Sequence, residues 1–123
     1  MVLVVARTEV WRKAKQTLID VKRMAAHAKR RLILIPAGRI RRPTFISNCA
    51  IIGSSAATSV TATLRMTIVE QLIADPMSTI RDCATAITSH DDPIGAVFSM
   101  VSHGFLRVDL QKPLRPDSLV SLA

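Results

Sequence analysis

Nucleophilic chemistry is the first possibility that the residue types suggest. Ser99, Ser102 and His103 lie close together in the sequence, in a stretch typical of a single helix. Serine catalysis needs a base and an orienting acid that converge on the hydroxyl from different elements of the fold. The spacing therefore predicts no nucleophilic site. The neighbouring pair Asp91–Asp92 indicates the start of a helix rather than an acid and a base.

Metal and phosphate chemistry have no better support. Cys49 and Cys83 have no second Cys or His at ligand spacing, so neither a zinc site nor a disulfide framework is expected. Gly38 stands alone, and no glycine-rich phosphate loop follows it. The histidines are equally scattered, at His27, His90 and His103. We expect no metal, no cofactor and no catalytic residues, and so a protein that is not an enzyme on its own.

Positive charge is the strongest chemical signal in the chain. Residues 1–42 contain twelve Lys or Arg and two acids, whereas residues 43–123 contain five Lys or Arg and seven acids. This division predicts two functional surfaces, of which the basic one suits the phosphate backbone of a nucleic acid. Nine cations are the candidate nucleic-acid-binding residues: Arg12, Lys15, Lys22, Arg23, Lys29, Arg30, Arg39, Arg41 and Arg42.

A βαβ unit would position these cations. Residues 2–7 and 31–35 have the continuous apolar character of buried parallel strands. Between them, from Glu9 to about Arg30, one uninterrupted helix is predicted, with its basic residues opposite an apolar stripe that faces a core. The stripe contains Val10, Ala14, Thr17, Leu18, Val21, Met24, Ala25 and Ala28. Residues 36–43 are predicted to be a turn that carries Arg39, Arg41 and Arg42.

The remaining sequence predicts mostly helices. After helical residues 45–52, a polar linker is expected at 53–59, followed by helices at 60–75 and 77–89, the second with Ser78 as its N-cap. A third helix begins at Asp92 and ends at Gly104, and strands follow at 105–110 and 118–123. Three helices and a β-hairpin are typical of a winged helix. The fold class is α+β, with a basic βαβ unit at 1–52 and a winged-helix-like domain at 60–123.

Several segments together resemble the second half of the TnsA-like transposon endonucleases. They are LILIPAGRIRRPTFISNCAII at 32–52, PMSTIRDCATAI at 76–87 and the stretch from Asp92 to Ala123. Residues 38–41, Asn48 and residues 104–110 match positions that this family shares. The resemblance implies a remnant of a restriction-endonuclease-like domain followed by a winged helix, and a mobile-element origin.

The catalytic positions depart from that family. Such nucleases hold a divalent metal on two carboxylates and place a lysine near the phosphate. Val5 and Arg7 stand where the resemblance implies an acid and the lysine. The only acids in the first 42 residues are Glu9 and Asp20, eleven positions apart on one predicted helix. We therefore expect the catalytic residues to be absent.

The leading functional hypothesis is a non-enzymatic binding protein. Its basic part would contact nucleic-acid backbone, and its winged-helix part would dock a protein partner, because the predicted third helix has no Arg, Lys or Asn with which to read bases. Three alternatives stay open. One is a phage- or plasmid-encoded inhibitor, such as an anti-CRISPR or other anti-defence protein, and another is a winged-helix transcriptional repressor. The last is an active endonuclease, for which a second subunit would have to supply every metal ligand.

Self-association and location are the last expectations. Two parallel strands make too small a sheet to be stable alone, and the first would leave an apolar edge open. We predict a homodimer, or pairing with a partner, through Val2, Leu3, Val4, Val5 and Ala6. No stretch is long enough to cross a bilayer, and the opening residues lack the pattern of a signal peptide, so a cytoplasmic protein is expected.

Overall fold

A computed structural model describes all residues, Met1–Ala123, as a mixed α+β protein with seven helices and two small sheets. The chain divides into two compact units, Met1–Pro43 and Thr44–Ala123. In the N-terminal unit the elements are β1 Val2–Ala6, α1 Thr8–Lys13, α2 Lys15–His27, β2 Leu32–Pro36 and α3 Ala37–Ile40. In the C-terminal part they are α4 Pro43–Ser54, α5 Ala62–Ala74, α6 Ile80–Ala86, α7 Pro93–Ser102, β3 Leu106–Val108 and β4 Val120–Leu122.

The parallel pairing of the two N-terminal strands is confirmed. β1 and β2 run side by side from the pair Val2 and Leu32 to the pair Ala6 and Pro36. No further strand joins this sheet, so each strand keeps one edge without a backbone partner. Because the two strands are parallel, their carboxyl ends lie at the same end of the sheet, where α1 and α3 begin.

The prediction of one long helix between these strands is wrong. The helix is broken at Ala14, whose φ of −122° and ψ of 30° lie outside the helical region, into α1 and α2. Neither glycine nor proline marks the break. α2 then ends at His27, earlier than predicted, and Lys29 takes up a left-handed conformation with φ 53°.

The prediction that the apolar stripe faces a core is also wrong. Neither α1 nor α2 contains a buried residue, and Met24 on the stripe is 70% exposed. A sheet of two strands is too narrow to cover a helix face, so only part of each helix is shielded. The half-buried positions of the two helices are Trp11, Leu18, Ile19 and Ala25, and Ala14 between them is half-buried too. The only buried residues of the N-terminal unit are Ala6 and Ala37.

The C-terminal unit contains the hydrophobic core of the protein. Twelve buried side chains form one cluster, contributed by α4 to α7 and the β3–β4 hairpin. They are Ile52, Ile68, Leu72, Ile80, Cys83, Ile87, Ala96, Val97, Phe98, Met100, Leu106 and Val120. The predicted order of three helices followed by two antiparallel strands is present, although β3 and β4 are each three residues long.

The helix boundaries of this unit agree with the sequence at some ends and differ at others. α7 begins as predicted, with Asp92 accepting a hydrogen bond from the Gly95 N–H at 2.9 Å and Pro93 in the first turn. It also ends as predicted, because Gly104 adopts φ 78° and the Phe105 N–H donates to Met100 O, which is a Schellman motif. α6, however, stops at Ala86 instead of residue 89.

The predicted N-cap of α6 is one residue off. Thr79, not Ser78, caps the helix: its hydroxyl accepts from the Asp82 N–H, and the Asp82 carboxylate accepts from the Thr79 N–H at 2.8 Å. This is a capping box, and it needs an acceptor side chain three residues after the cap. Ser78 is buried instead, where its hydroxyl donates to Asp75 O at 2.7 Å and accepts from Gln71 Nε2.

The segments around the predicted domain boundary also differ from the sequence-based description. Residues 36–43 are not a simple turn, because they contain α3 and the start of α4. The division between the two units falls after Pro43, before the predicted linker at 53–59. α4 extends into that linker as far as Ser54, and Asn48 on α4 donates to Leu110 O and Lys112 O at 3.0 and 2.7 Å. These bonds join α4 to the loop that follows β3.

Candidate nucleic-acid interface

The basic residues of the N-terminal unit form the candidate interface. All nine predicted side chains are exposed: Arg12, Lys15, Lys22, Arg23, Lys29, Arg30, Arg39, Arg41 and Arg42. The guanidinium group of Arg23 lies 3.9 Å from the carboxylate of Asp20, and both of these side chains are exposed. An exposed pair of this kind contributes little and is easily exchanged for another anion.

A first group of cations lies near the carboxyl ends of β1 and β2. Arg39 is on α3, which follows β2 directly, and Arg41 and Arg42 follow α3. The starts of α1 and α3 are close together there, because a Cβ added to Gly38 would lie 3.9 Å from Thr8 Oγ1. Arg7 is not among the nine predicted nucleic-acid-binding residues. It precedes α1 at the carboxyl end of β1 and is exposed.

A second group lies on α2. Lys15 and Lys22 are seven residues apart, a spacing that brings two side chains to nearly the same side of a helix. Arg23 is the next residue along. The break at Ala14 separates this group from Arg12 on α1, so the basic residues do not lie on one face of a single uninterrupted helix as predicted.

A third group lies at the opposite end of the sheet, where β1 and β2 begin. Lys29 and Arg30 follow α2, and the Val2 N–H donates to Arg31 O at 2.8 Å where the two strands begin. Arg31 is exposed and was not selected from the sequence either. The structure therefore distributes the predicted residues over both ends of the sheet and along α2, instead of on a single line.

Lys29 has an unusual backbone. Its N–H donates to Ala26 O, and the Arg30 N–H donates to Ala25 O at 2.8 Å, so α2 ends in a Schellman motif with lysine at the position where glycine is usual. A left-handed conformation costs a residue with a Cβ about 1 to 2 kcal/mol. A cation is thus held on this turn in spite of a local conformational cost.

The predicted pairing strand β1 is only partly covered. Val2, Leu3 and Val5 are exposed, Val4 is half-buried and Ala6 is buried. Since Val2 donates its N–H towards β2 and backbone direction alternates along a strand, the N–H groups of Leu3 and Val5 point to the open edge. This edge has both the free donors and the apolar side chains that a further strand needs.

The serine and histidine residues of the C-terminal unit have structural roles. Ser99 is buried, and its hydroxyl donates to Thr58 O at 2.8 Å, while His103 Nδ1 donates to Ser99 O at 2.8 Å. His90 Nε2 donates to Ser59 O at 2.7 Å. These contacts fasten residues 58 and 59 of the predicted linker to α7 and to the turn before it.

Other groups that could do chemistry are separate from one another. Cys83 is buried in the core, and burial raises the pKa of its thiol to about 11, whereas Cys49 is exposed. No cluster of three or more His, Cys, Asp or Glu side chains is arranged to hold a metal ion. The longest helices have thirteen residues, and none is apolar and long enough to cross a membrane.

Helix α7 and the β3–β4 hairpin carry few cations. α7 has six buried residues and contains no Lys, Arg or Asn. Arg107 and Lys112 are exposed, and Lys112 lies 3.8 Å from Asp109. Arg65 on α5 stacks over the Phe105 ring, 5.2 Å from its centroid. Comparison with protein-family models, curated proteins and solved structures finds no match to this chain.

Proposed function

We propose that this chain is a non-enzymatic binding protein whose N-terminal unit contacts the phosphate backbone of a nucleic acid. The observation that carries the proposal is the exposure of all nine selected cations in a unit with twelve Lys or Arg and two acids. Such a concentration of positive charge on a small unit raises the local concentration of polyanions. Contacts of this kind bind backbone without regard to base sequence.

The distribution of the cations favours a polyanion over a small anion. They lie at both ends of the β1–β2 sheet and along α2, so they do not line one compact pocket. A phosphate chain carries one negative charge every few ångströms and can contact several of these groups at once. The exposed lysine at position 29, kept where glycine would be less strained, fits the same role.

The C-terminal unit is, in this proposal, a winged helix that docks a protein. Within this unit, α5, α6 and α7 precede the β3–β4 hairpin, and a bridge pairs Thr79 with Leu119. The Val120 N–H donates to Ser78 O at 3.0 Å, so the segment between α5 and α6 extends the hairpin in the manner of a third strand. α7 offers no side chain typical of base reading, which favours protein docking over sequence recognition.

A mobile-element origin is part of the same proposal. It rests on the resemblance to the TnsA-like endonucleases in the sequence. Among the residues of that resemblance, Asn48 binds two carbonyls, Gly104 ends α7 and Leu106 lies in the core. The anti-defence inhibitor and the transcriptional repressor stay predictions, because no contact or charge pattern favours either of them.

Charge reversal tests the nucleic-acid role. Lys22→Glu with Arg23→Glu, and separately Arg41→Glu with Arg42→Glu, should each weaken binding of a mixed-sequence DNA duplex, measured by fluorescence anisotropy. We expect each pair to reduce affinity by at least about tenfold, because every lost phosphate contact also loses the release of a counterion. The loss should be the same for duplexes of unrelated sequence.

A matched pair in the C-terminal unit provides the control. Arg107→Glu with Lys112→Glu changes the net charge by the same amount on exposed hairpin and loop residues. We expect this pair to bind DNA nearly as well as the unaltered protein. If it loses as much affinity as the N-terminal pairs, binding reflects overall charge alone; if only this pair loses affinity, the hairpin reads DNA and the repressor hypothesis gains.

Self-association through β1 is proposed as well. A second copy would pair along the open edge of β1 and cover Val2, Leu3 and Val5. Val5→Pro removes an outward N–H without removing a bond to β2, since proline is tolerated at an edge position of this kind. Sedimentation at micromolar concentration should show a dimer for the unaltered protein and for Val5→Ala, and a monomer for Val5→Pro. A monomeric unaltered protein would contradict this.

A further inference from the structure

An apolar groove of about 640 Å³ lies within the C-terminal unit. It is formed by one side of α6, the first turns of α7, Ile51 on α4 and the loop at 114–116. Its volume falls within the range of about 300 to 1,000 Å³ that is typical of small-molecule sites. None of the contacts of the proposed nucleic-acid interface involves it.

Most of the groove wall is apolar. Ile80 and Phe98 are buried and form part of the core. At the rim, Ile51 is 43% exposed and Ile94 is 50% exposed, although both are large apolar side chains. Ala84, Pro93, Leu114 and Pro116 add further apolar surface. An occupant with an apolar body would remove Ile51 and Ile94 from water.

Positive charge accompanies this apolar surface. Arg81 and Arg115 both line the groove, and neither forms an ion pair in the structure. The two arginines belong to neighbouring segments, because the Arg81 N–H donates to Pro116 O at 2.9 Å. The C-terminal unit has only five basic residues and seven acids. Two of the five basic residues, Arg81 and Arg115, line this groove.

No acid in the groove competes for these guanidinium groups in the present arrangement. Asp92 is the one acidic residue that lines it, and its carboxylate accepts the Gly95 N–H as the N-cap of α7. Asp82 is next to Arg81 in sequence. Its pKa is lowered first by hydrogen bonds from the N–H and hydroxyl of Thr79 and also by the charge of Arg81, but the two side chains form no ion pair. The groove therefore combines an apolar lining with donors that prefer a carboxylate.

We propose that this groove binds a small amphiphilic carboxylate, with an unbranched apolar body along Ile51, Ile80 and Ile94 and its carboxylate at Arg81 and Arg115. The inference goes beyond the nucleic-acid role and does not depend on it. A ligand in this groove would contact α4, α6, α7 and the loop at 114–116 at once, and would thereby stabilise the C-terminal unit.

Head-group selectivity is the direct test. The full chain is titrated with decanoate and decyltrimethylammonium below their micelle concentrations and with decanol below its solubility limit, with the methyl NMR signals of Ile51 and Ile94 as the readout. We expect saturable binding of one decanoate per chain, at least about tenfold weaker binding of decanol, and none of the cation, because one charge-assisted hydrogen bond is worth about that ratio. Equal binding of all three would overturn the proposal.

Variants separate the groove from the rest of the protein. Arg81→Gln with Arg115→Gln should abolish the preference for decanoate over decanol, and Ile94→Gln should weaken both. Arg107→Gln, outside the groove, and Lys22→Glu with Arg23→Glu, in the other unit, should leave decanoate binding unchanged. Decanoate binding that survives the double arginine variant but is lost in the N-terminal variant would place the carboxylate elsewhere and overturn the proposal. So would self-association that Ile94→Gln abolishes, since a second copy would then fill the groove.

Discussion

The two units of this protein contain similar secondary-structure elements but differ in their hydrophobic core and in their net charge. The C-terminal unit packs four helices and a hairpin around twelve buried side chains, and its charges nearly balance. The N-terminal unit also has helices and a two-stranded sheet, but it buries only Ala6 and Ala37 and carries ten more positive than negative charges. Self-repulsion of that charge weakens a compact state that has little core to offset it. We therefore expect the C-terminal unit to be stable alone and the N-terminal unit to gain stability from a binding partner.

The same difference is visible in how two helices end. α7 and α2 both stop in a Schellman motif, with the left-handed residue being Gly104 in one and Lys29 in the other. Glycine adopts this conformation without strain, whereas lysine does not. The well-packed unit uses the residue that favours folding, and the basic unit uses a residue that places a charge at a cost to folding.

The largest expected difference concerns two leucines on strands. Leu106 in β3 is 2% exposed and Leu3 in β1 is 55% exposed. Leu106→Ala should reduce the free energy of unfolding of the C-terminal unit by about 2 to 5 kcal/mol, because it leaves a cavity in the core. Leu3→Ala should change the stability by less than about 0.5 kcal/mol at low protein concentration, because an exposed position leaves no cavity.

Urea denaturation measures this pair. Far-UV circular dichroism follows both units, and fluorescence of Trp11, the only tryptophan, follows the N-terminal unit. We expect the fluorescence transition to occur at lower urea than the main dichroism transition. Coincident transitions, or equal losses for the two leucine variants, would remove the contrast between the units.

Asn48 tests whether α4 belongs to the C-terminal unit. Its buried amide donates to Leu110 O and Lys112 O, so Asn48→Leu should leave both carbonyls without a partner and cost about 1 to 3 kcal/mol. Ser47→Ala, on an exposed position of the same helix, should cost almost nothing. Chemical denaturation followed by dichroism checks both. An Asn48→Leu protein as stable as the control would mean that α4 is not fastened to this unit.

The two left-handed residues give a reciprocal prediction. Lys29→Gly should raise the stability of the N-terminal unit by about 1 kcal/mol, because glycine removes the strain, while it weakens DNA binding through the lost charge. Gly104→Ala should instead lower the stability of the C-terminal unit by about 1 kcal/mol for the opposite reason. Trp11 fluorescence and dichroism report these changes. A Lys29→Gly protein that is less stable than the unaltered one would contradict the strain argument.

Helix caps extend the comparison. α6 has a capping box formed by Thr79 and Asp82, whereas no side chain caps α1 or α2. Thr79→Ala should cost about 1 kcal/mol. Arg7→Ala, at the N-cap of α1, should leave stability unchanged, since its side chain makes no capping bond. Thermal unfolding of the two variants compares them, and an equal loss would show that Arg7 stabilises its helix in some other way.

The smallest expected effect depends on pH. Hydrogen bonds from the backbone and hydroxyl of Thr79 lower the pKa of Asp82 below its usual value. The carboxylate therefore stabilises the folded state fully above the ordinary aspartate pKa of about 4, and this contribution is lost as the pH falls through the lowered value. The difference in stability between the unaltered protein and Asp82→Asn should narrow towards acid. A difference that is constant with pH would contradict it.

Local features of the fold could be predicted from the sequence where one residue determines the conformation. Asp92 and Pro93 start α7, Gly104 ends it, and the apolar runs at β1 and β2 pair in parallel. The break at Ala14 could not be predicted, because nothing in the residue types marks it. The cap of α6 could have been, since Asp82 stands three residues after Thr79 and four after Ser78.

Features that depend on distant contacts were beyond the sequence. The predicted linker is held by Ser99 and His90, which bind carbonyls more than thirty residues away. The stripe on the long predicted helix was expected to be buried because its period is helical, but periodicity does not reveal that the sheet beside it has only two strands. At the candidate interface, the sequence predicted the nine basic residues, and all of them are exposed. Their division among the two ends of the β1–β2 sheet and α2 could not be predicted from the sequence.

The salt dependence of DNA binding tests the central claim most directly. For the full chain and a mixed-sequence duplex, the logarithm of the binding constant should fall linearly with the logarithm of salt concentration, by about 0.9 for each phosphate contacted. The Arg41→Glu, Arg42→Glu protein should give a slope shallower by up to about two such contacts. Absent binding, or an affinity that does not change with salt, would contradict the assignment of the N-terminal unit to nucleic-acid backbone.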